Sequence, residues 1–266
     1  MWYRSLLIVL SACLLSLATL VLPAAAAKGP LTYDQIRNTG QAGLCPTVAD
    51  NAARGRIEVP ADGVIQLTEV CFQPVQIEVE EEKRSGEKEF MKAKPIMLYA
   101  ATIGPVKAEV RPADGHLKFQ VMDGLASQPV TVQMPRRELV PLLFSVKKLT
   151  AQAQDSEMAI TSSTDFEGDY LVPGYRSSLF LDPRGRGTAT GYDSAVGLQA
   201  SADEFEASRK TDELFSGQMS LRIARIDTST GEIAGSFVSE QPSSDEQGTM
   251  EVRNVRIQGL FYARLA

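Results

Sequence analysis

The sequence predicts an all-β fold: an antiparallel β-barrel of eight or more strands with one large insertion between strands and a short N-terminal helix. Three observations carry this. Short apolar segments succeed one another from Val64 to Leu265, separated by turn residues such as Asp114-Gly115 and Asp123-Gly124. The segment Val75-Gln76-Ile77-Glu78-Val79-Glu80 alternates strictly between apolar and polar, so one face is buried and the other wet. The last segment, Val252 to Leu265, is long enough to pair with the first and so remove both exposed sheet edges.

Taken in order, Thr32 and Gln35 fit a helix-capping box, which predicts a short helix from Tyr33 to about Arg37, ended by Asn38-Thr39-Gly40. So near a terminus it needs its own barrel or a partner to hold it. Strands are expected over Val64–Val70 and Val75–Glu80. Glu80 to Glu89 is a charged turn. Its carboxylates are numerous enough for Ca²⁺ but lack the D-x-D-x-D-G spacing, so a solvated hairpin tip is the preferred reading. Further strands are expected over Pro95–Ala101, Val106–Val110, Leu117–Val121 and Val130–Met134. Leu139–Leu149 is the longest, with Pro141 marking an edge or bulge. The head loop, about 162–216, is expected to be irregular, with a short acidic helix over Asp203–Phe215. Gln218–Ile226, Ile233–Val238 and Val252–Leu265 complete the barrel. Along the last, Val255, Ile257, Gly259, Phe261 and Ala263 share a face. Phe119, Phe144, Phe237 and Phe261 are the inward aromatic candidates.

Residues 1–27 have the pattern of a cleaved secretory signal: Arg4 gives a positive start, Leu6–Leu22 is apolar, and Pro23 with Ala24 to Ala27 supplies the small-residue site. Residues 28–266 then form a single exported barrel domain. Leu10-Ser11-Ala12-Cys13 also resembles a lipidation box, but the apolar run continues past Cys13. The formal charge of the whole chain is −6, and one unit more negative without Arg4. That argues against nucleic acid as a partner and gives no attraction to an anionic membrane. Cys45 and Cys71 remain after export and are expected to form a disulfide; two buried free thiols are the alternative.

Catalytic chemistry is hard to assemble from these residues. His116 is the single histidine, and no G-x-S-x-G elbow accompanies it. Gly185, Gly187 and Gly191 miss the G-x-G-x-x-G spacing. The densest polar chemistry lies in Leu171–Val196, where Arg176, Arg184 and Arg186 face Asp182 and Asp193 in sequence among glycines and two prolines. Arginine offers planar, multidentate donors for carboxylates and carbonyls, and the prolines limit the ordering cost on binding. A protein-recognition loop is the functional reading; internal Asp182–Arg pairing is the alternative. A barrel with an apolar cavity open at one end would instead bind a small molecule.

The same stretch resembles a known family. Val172-Pro173-Gly174-Tyr175-Arg176, Phe180-Leu181-Asp182-Pro183-Arg184-Gly185-Arg186-Gly187 and Thr190-Gly191-Tyr192-Asp193-Ser194-Ala195-Val196 are similar to the V-P-S-Y-R, F-L-D-P-K-G-R-G and T-G-Y-D-x-A-V motifs of the manganese-stabilising protein of photosystem II, the PsbO family. Thr32–Ile36, Cys45-Pro46-Thr47, Thr230-Gly231-Glu232-Ile233, Gln241-Pro242-Ser243 and Ile257–Ala263 extend the resemblance over residues 31–265. A single motif before Cys45 is that of the cyanobacterial form. The hairpin Met134-Pro135-Arg136-Arg137-Glu138-Leu139-Val140-Pro141 departs from the family's L-P-G-G-E-R-V-P, and Gly174 replaces the usual serine.

The resemblance implies an eight-stranded antiparallel β-barrel with a large head loop inserted between strands, and a non-enzymatic extrinsic subunit, peripheral on the lumenal face of the thylakoid membrane, or on the periplasmic face if the host lacks thylakoids. Its partners would be photosystem II core subunits and other extrinsic subunits. It would stabilise the Mn₄CaO₅ cluster and help retain chloride and calcium without ligating manganese. The resemblance implies a Cys45–Cys71 disulfide. It makes Tyr33, Asp34 and Ile36 an N-terminal binding segment. In the loop, Arg176, Asp182 and Arg186 carry over as functional residues, and Tyr175 and Arg184 flank them as further contact candidates.

Overall fold

A computed structural model describes residues 32–33, 45–49, 55–96, 101–124, 126–173, 179–181, 187–189, 214–244 and 251–266. In chain order the strands begin with β1 (Arg56–Glu58), β2 (Ile65–Glu82), β3 (Lys88–Pro95), β4 (Ile103–Ala113) and β5 (His116–Asp123). Next come β6 (Ser127–Gln133), β7 (Leu139–Ser145), β8 (Lys147–Ala153), β9 (Ala159–Thr161) and β10 (Asp165–Pro173). The last are β11 (Leu179–Leu181), β12 (Gly187–Ala189), β13 (Leu214–Asp227), β14 (Glu232–Pro242) and β15 (Asn254–Leu265).

Eight of these close a barrel in the order β2-β4-β5-β8-β10-β13-β14-β15, and β15 pairs back onto β2. All the pairings are antiparallel. Outside the barrel, β3, β6 and β7 extend from β2 as a side sheet. The barrel expected from the alternation, with the eight strands that the resemblance implies, is therefore the architecture found. Of the expected N-terminal helix, only Thr32 and Tyr33 are among the described residues, and Tyr33 has helical backbone.

Several boundaries differ, each for a physical reason. Val64–Val70 and Val75–Glu80 are one strand, β2. Pro74 lacks an N–H for the ladder, and the register against β15 shifts at that point. Gly259 opposite allows close contact: a Cβ there would stand 2.1 Å from the Gln73 carbonyl oxygen. Leu139–Leu149 is two strands that part at Val146, one in the side sheet and one in the barrel. The strand expected over Pro95–Ala101 lies earlier, as β3, because the charged turn folds it back onto β2 with Ile77 opposite Ala93. The irregular head loop is narrower than 162–216. Strand β10 occupies Asp165–Pro173 as part of the barrel wall, burying Phe166, Tyr170 and Val172. Gly168 interrupts that alternation because a Cβ would meet the Thr150 carbonyl oxygen at 1.9 Å.

The interior is filled. Phe72 lies edge-on to Phe237 at 5.7 Å, Phe144 stacks on Phe237 at 5.7 Å, and Phe119 meets Phe166 and Phe261, both at 6.0 Å. The four phenylalanines expected to face inward are all buried. A void beside Phe119, Phe166 and Phe261 measures only about 10 Å³, at the lower limit for one water. This filling of the middle of the barrel counts against the small-molecule-binding alternative, which needs an apolar cavity open at one end. Removing one ring of the stack should be severe: Phe237→Ala is expected to cost about 3–5 kcal/mol, measured by urea unfolding, with the slope unchanged.

Candidate docking surface

Strands β10 and β13 run side by side up to the pair Pro173–Leu214, and the insertion 174–213 leaves and rejoins the wall there. Beneath this exit lies a buried polar network. The Tyr170 hydroxyl is 2.5 Å from Ser239 Oγ and donates to Gln241 Oε1 at 3.3 Å. Gln241 Nε2 donates to the Leu143 carbonyl at 2.7 Å, and the Ser145 hydroxyl donates to the Leu171 carbonyl at 2.6 Å. The network thus ties the side sheet (β7) to both walls of the barrel end, β10 and β14. Gly217 makes room for it, since a Cβ there would lie 2.3 Å from the Tyr170 ring. Burial pushes the Tyr170 hydroxyl pKa well above the usual tyrosine value, with the Ser239 hydrogen bond opposing. Sequence reasoning missed this group, whose members lie far apart along the chain. The only signal was Gln241-Pro242-Ser243, one of the matched motifs.

Within the insertion, β11 and β12 pair with Leu179 opposite Ala189 and Leu181 opposite Gly187. Asp182, Arg184 and Arg186 belong to the connection between them. Those three residues, with Tyr175 and Arg176, lie outside the described residues, as do the expected signal segment 1–27 and residues 203–213 of the expected acidic helix; the last two residues of that expected helix, Leu214 and Phe215, are instead the start of β13, paired with β10.

The N-terminal segment is held on the outer wall. Cys45 and Cys71 form the expected disulfide, with Cα atoms 5.7 Å apart. The Cys45 amide donates to Gln73 Oε1 at 3.0 Å, and Arg225 reaches the Ala49 carbonyl at 3.3 Å. Tyr33, Cys45, Val48 and Cys71 form a second apolar cluster with Ala234, Leu260 and Tyr262. The Arg225 guanidinium lies 5.6 Å from the centre of the Tyr33 ring. Tyr33 is thus packed against its own barrel, while Asp34 and Ile36 lie outside the described residues. Tyr262 donates to Glu232 at 2.9 Å; burial first and that bond second raise its pKa.

His116 contacts the Asp155 carbonyl through Nδ1 at 2.7 Å, at the start of β5. In the charged turn, Lys83 meets Glu89 at 2.5 Å and Glu87 at 3.8 Å, and Lys88 meets Glu80 at 3.4 Å, so several carboxylates there have lysine partners. Among the described residues, no three His, Cys, Asp or Glu side chains group closely enough to hold a metal ion.

A barrel packed with side chains, a polar network under the strand ends that carry the insertion, and an N-terminal segment disulfide-bonded to the wall define a rigid β-barrel scaffold. The chain belongs to the manganese-stabilising protein / photosystem II polypeptide family, whose family model matches residues 29–265. It is 44% identical over 270 residues to photosystem II extrinsic protein O of Thermosynechococcus vestitus, covering 100% of this chain and 99% of the relative. To the protein of the same name from Nostoc sp. it is 42% identical over 273 residues, covering 100% of both. To the chloroplastic oxygen-evolving enhancer protein 1 of Chattonella marina var. antiqua it is 35% identical over 248 residues, covering 89% of this chain and 76% of the relative.

Two expectations follow. Breaking the disulfide with Cys45→Ser/Cys71→Ser should lower stability by roughly 3–4 kcal/mol, seen in denaturant unfolding. Tyr170 and Tyr262 both have folded pKa values raised above the unfolded value of about 10. Their contribution is therefore full below pH ~10 and is lost as pH rises through the folded values. Unfolding titrations across this range should show stability falling above pH ~10, with a shallower fall in Tyr170→Phe.

Proposed function

We propose that this chain is an extrinsic, non-enzymatic subunit of photosystem II that docks on the lumenal side of the complex. There it stabilises the Mn₄CaO₅ cluster and supports chloride and calcium retention. The observation that carries this reading is the family match across the whole barrel, including the insertion and its root. The cluster belongs to the membrane complex. This chain contributes shape, docking groups and exclusion of solvent, and the donor chemistry of its described residues offers no ligand set for manganese.

The insertion is the principal docking element in this reading. Arg176 and Arg186 supply planar donors, Asp182 a carboxylate, and Tyr175 and Arg184 flank them. The buried network under Pro173 and Leu214 determines where the insertion leaves the barrel, so binding surface and rigid scaffold are coupled. Asp34 and Ile36 add a second contact beside the anchored Tyr33. Residues 1–27 serve as the export signal and residues 28–266 as the mature domain, with the photosystem core and other extrinsic subunits as partners.

The test is reconstitution. Photosystem II membranes stripped of the subunit should lose manganese and oxygen evolution at low chloride, and the purified chain should restore both. Full activity of stripped membranes at low chloride would refute the reading. Arg176→Ala is expected to weaken rebinding or chloride retention while leaving the thermal unfolding midpoint unchanged. Normal values for both would remove Arg176 from the docking set.

A further inference from the structure

Asp-Gly occurs three times in the chain, at Asp62-Gly63, Asp114-Gly115 and Asp123-Gly124. The dipeptide is chemically labile, because the glycine nitrogen can attack the aspartate side-chain carbon with no Cβ of its own in the way. Whether it does so depends on where the backbone holds that nitrogen, and the fold treats the three pairs differently. The Gly63 amide donates to the Pro60 carbonyl at 2.9 Å, and the Pro60 ring crowds it: a Cβ on Gly63 would lie 2.8 Å from Pro60 Cβ. Asp114 and Gly115 are the turn between the paired residues Ala113 and His116, both with left-handed backbone at φ 50° and 81°. A left-handed aspartate has a positive ψ, which swings the following nitrogen to the far side of the Cα–C bond from Cβ.

Of the three, Asp123-Gly124 has the opposite arrangement. The Gly124 amide donates to Asp123 Oδ1 at 2.8 Å. Side chain and following nitrogen are therefore on the same side of the backbone. The carboxyl carbon is one bond beyond the oxygen that the nitrogen already contacts, and rotation of the carboxyl group turns its face to the nitrogen, a near-attack arrangement. The surrounding ladder is irregular: Lys107 faces Asp123 while Ala108 faces Val121, so Met122 is an extra residue, 54% exposed. Such a bulge leaves the local backbone less tied than a regular strand. Asp123 and Gly124 are themselves exposed, so water reaches them. Gly124 has φ 121°, a backbone that glycine adopts freely.

We propose that Asp123-Gly124 is a site of spontaneous succinimide formation, through which Asp123 passes to a β-linked isoaspartate as the molecule ages. The Gly124 nitrogen bonds to Cγ of the protonated Asp123 carboxyl, the Cγ–OH bond breaks, and the amide proton leaves with the hydroxyl as water. Water then opens the ring. Attack at Cγ breaks the new bond and restores aspartate. Attack at the Asp123 backbone carbonyl carbon breaks the original peptide bond and leaves the chain running through the side chain. Nothing but water is released or consumed. The isoaspartate adds a methylene to the backbone beside Val106, which is buried and would stand 2.9 Å from a Cβ on Gly124. The Ala126 carbonyl, just beyond, accepts the Val146 amide at 2.8 Å where the chain passes from β5 in the barrel to β6 in the side sheet. The added length therefore falls at the joint between barrel and side sheet. The docking role and this chemistry do not depend on each other.

The experiment ages the purified full chain in mildly acidic buffer, folded and in guanidinium chloride, and maps its peptides by mass spectrometry. A succinimide peptide is one water lighter than its aspartate form, and an isoaspartate peptide separates from it chromatographically at unchanged mass. In the folded chain, isoaspartate should accumulate at Asp123 about tenfold faster than at Asp62 or Asp114. In the unfolded chain the three positions should age at similar rates. Asp123→Asn cyclises by the same attack with ammonia leaving, and should turn into a mixture of aspartate and isoaspartate at least as fast. Asp123→Glu, which would have to close a larger ring, should give no product at this position while unfolding at the wild-type temperature. Similar rates at the three positions in the folded chain, or product at Asp123 in the unfolded sample alone, overturn the proposal. An Asp123→Asn chain that keeps its amide while folded overturns it as well.

Discussion

The barrel closes through β15 against β2, and most other features of the molecule depend on that seam. The two strands pair along almost their whole length, with register shifts at Pro74–Gly259 and near Tyr262. Each shift places an extra residue on one strand, which bends the wall and increases its twist. Closure leaves the barrel with no free edge, so its backbone groups are satisfied without a partner chain. It also sets a register in which Tyr262 faces Cys71 across the seam and Phe261 faces Phe72. One pair points outward and the other inward, so a single register builds both the anchor for the N-terminal segment and the aromatic core.

The core and the outer cluster do different work. Inside, phenylalanines fill the middle of the lumen, and the barrel acts as a rigid support. Outside, the Cys45–Cys71 bridge converts a terminal segment, which would otherwise bury little surface, into part of the wall. The consequence for function is pre-organisation. In the proposed docking role, the ordering cost of the anchored residues, 45–49, is met by folding and not at the moment of binding. The Tyr170 network does the same for the insertion by fixing the strand ends from which it emerges. The free energy at stake in such buried polar groups is asymmetric: satisfied they rigidify, unsatisfied they destabilise.

Charge is distributed in keeping with a docking role. The chain is acidic overall, and so is its insertion, with five Lys and Arg against seven Asp and Glu over 174–213; only the first half of the insertion has an excess of arginine, Arg176, Arg184 and Arg186 against Asp182 and Asp193. On the β2–β3 arm, by contrast, lysines and carboxylates are interleaved and paired, as suits a solvated projection. Local cationic sites on an acidic molecule favour particular orientations over general adhesion, because mis-docked faces meet repulsion.

Much of this was legible in the sequence, because β structure and turns are written locally. Strict alternation in Val75–Glu80 declared a half-buried strand. Asp-Gly pairs declared hairpins, and a terminal segment of strand length declared closure. The two cysteines beyond residue 27 declared a bridge. What stayed hidden depended on contacts between distant residues. Gly168 and Pro74 interrupt strands when read along the chain; only the close approach of Thr150 and the shifted register at Gly259 show why the strands continue through them. The head loop therefore seemed longer than it is, and one strand seemed two. Tyr170, Ser239 and Gln241 carry no local pattern, since their partnership exists only once β10 and β14 meet at the end of the barrel. Arg137 stands where the family's L-P-G-G-E-R-V-P motif has glycine, but that it holds a left-handed backbone at φ 68° shows only in the folded hairpin. Sequence by itself determined the class of fold, the disulfide and the family, all properties of local pattern and motif order. Tertiary structure decided which faces are filled and which are locked, because burial and register are set by residues that meet only on folding.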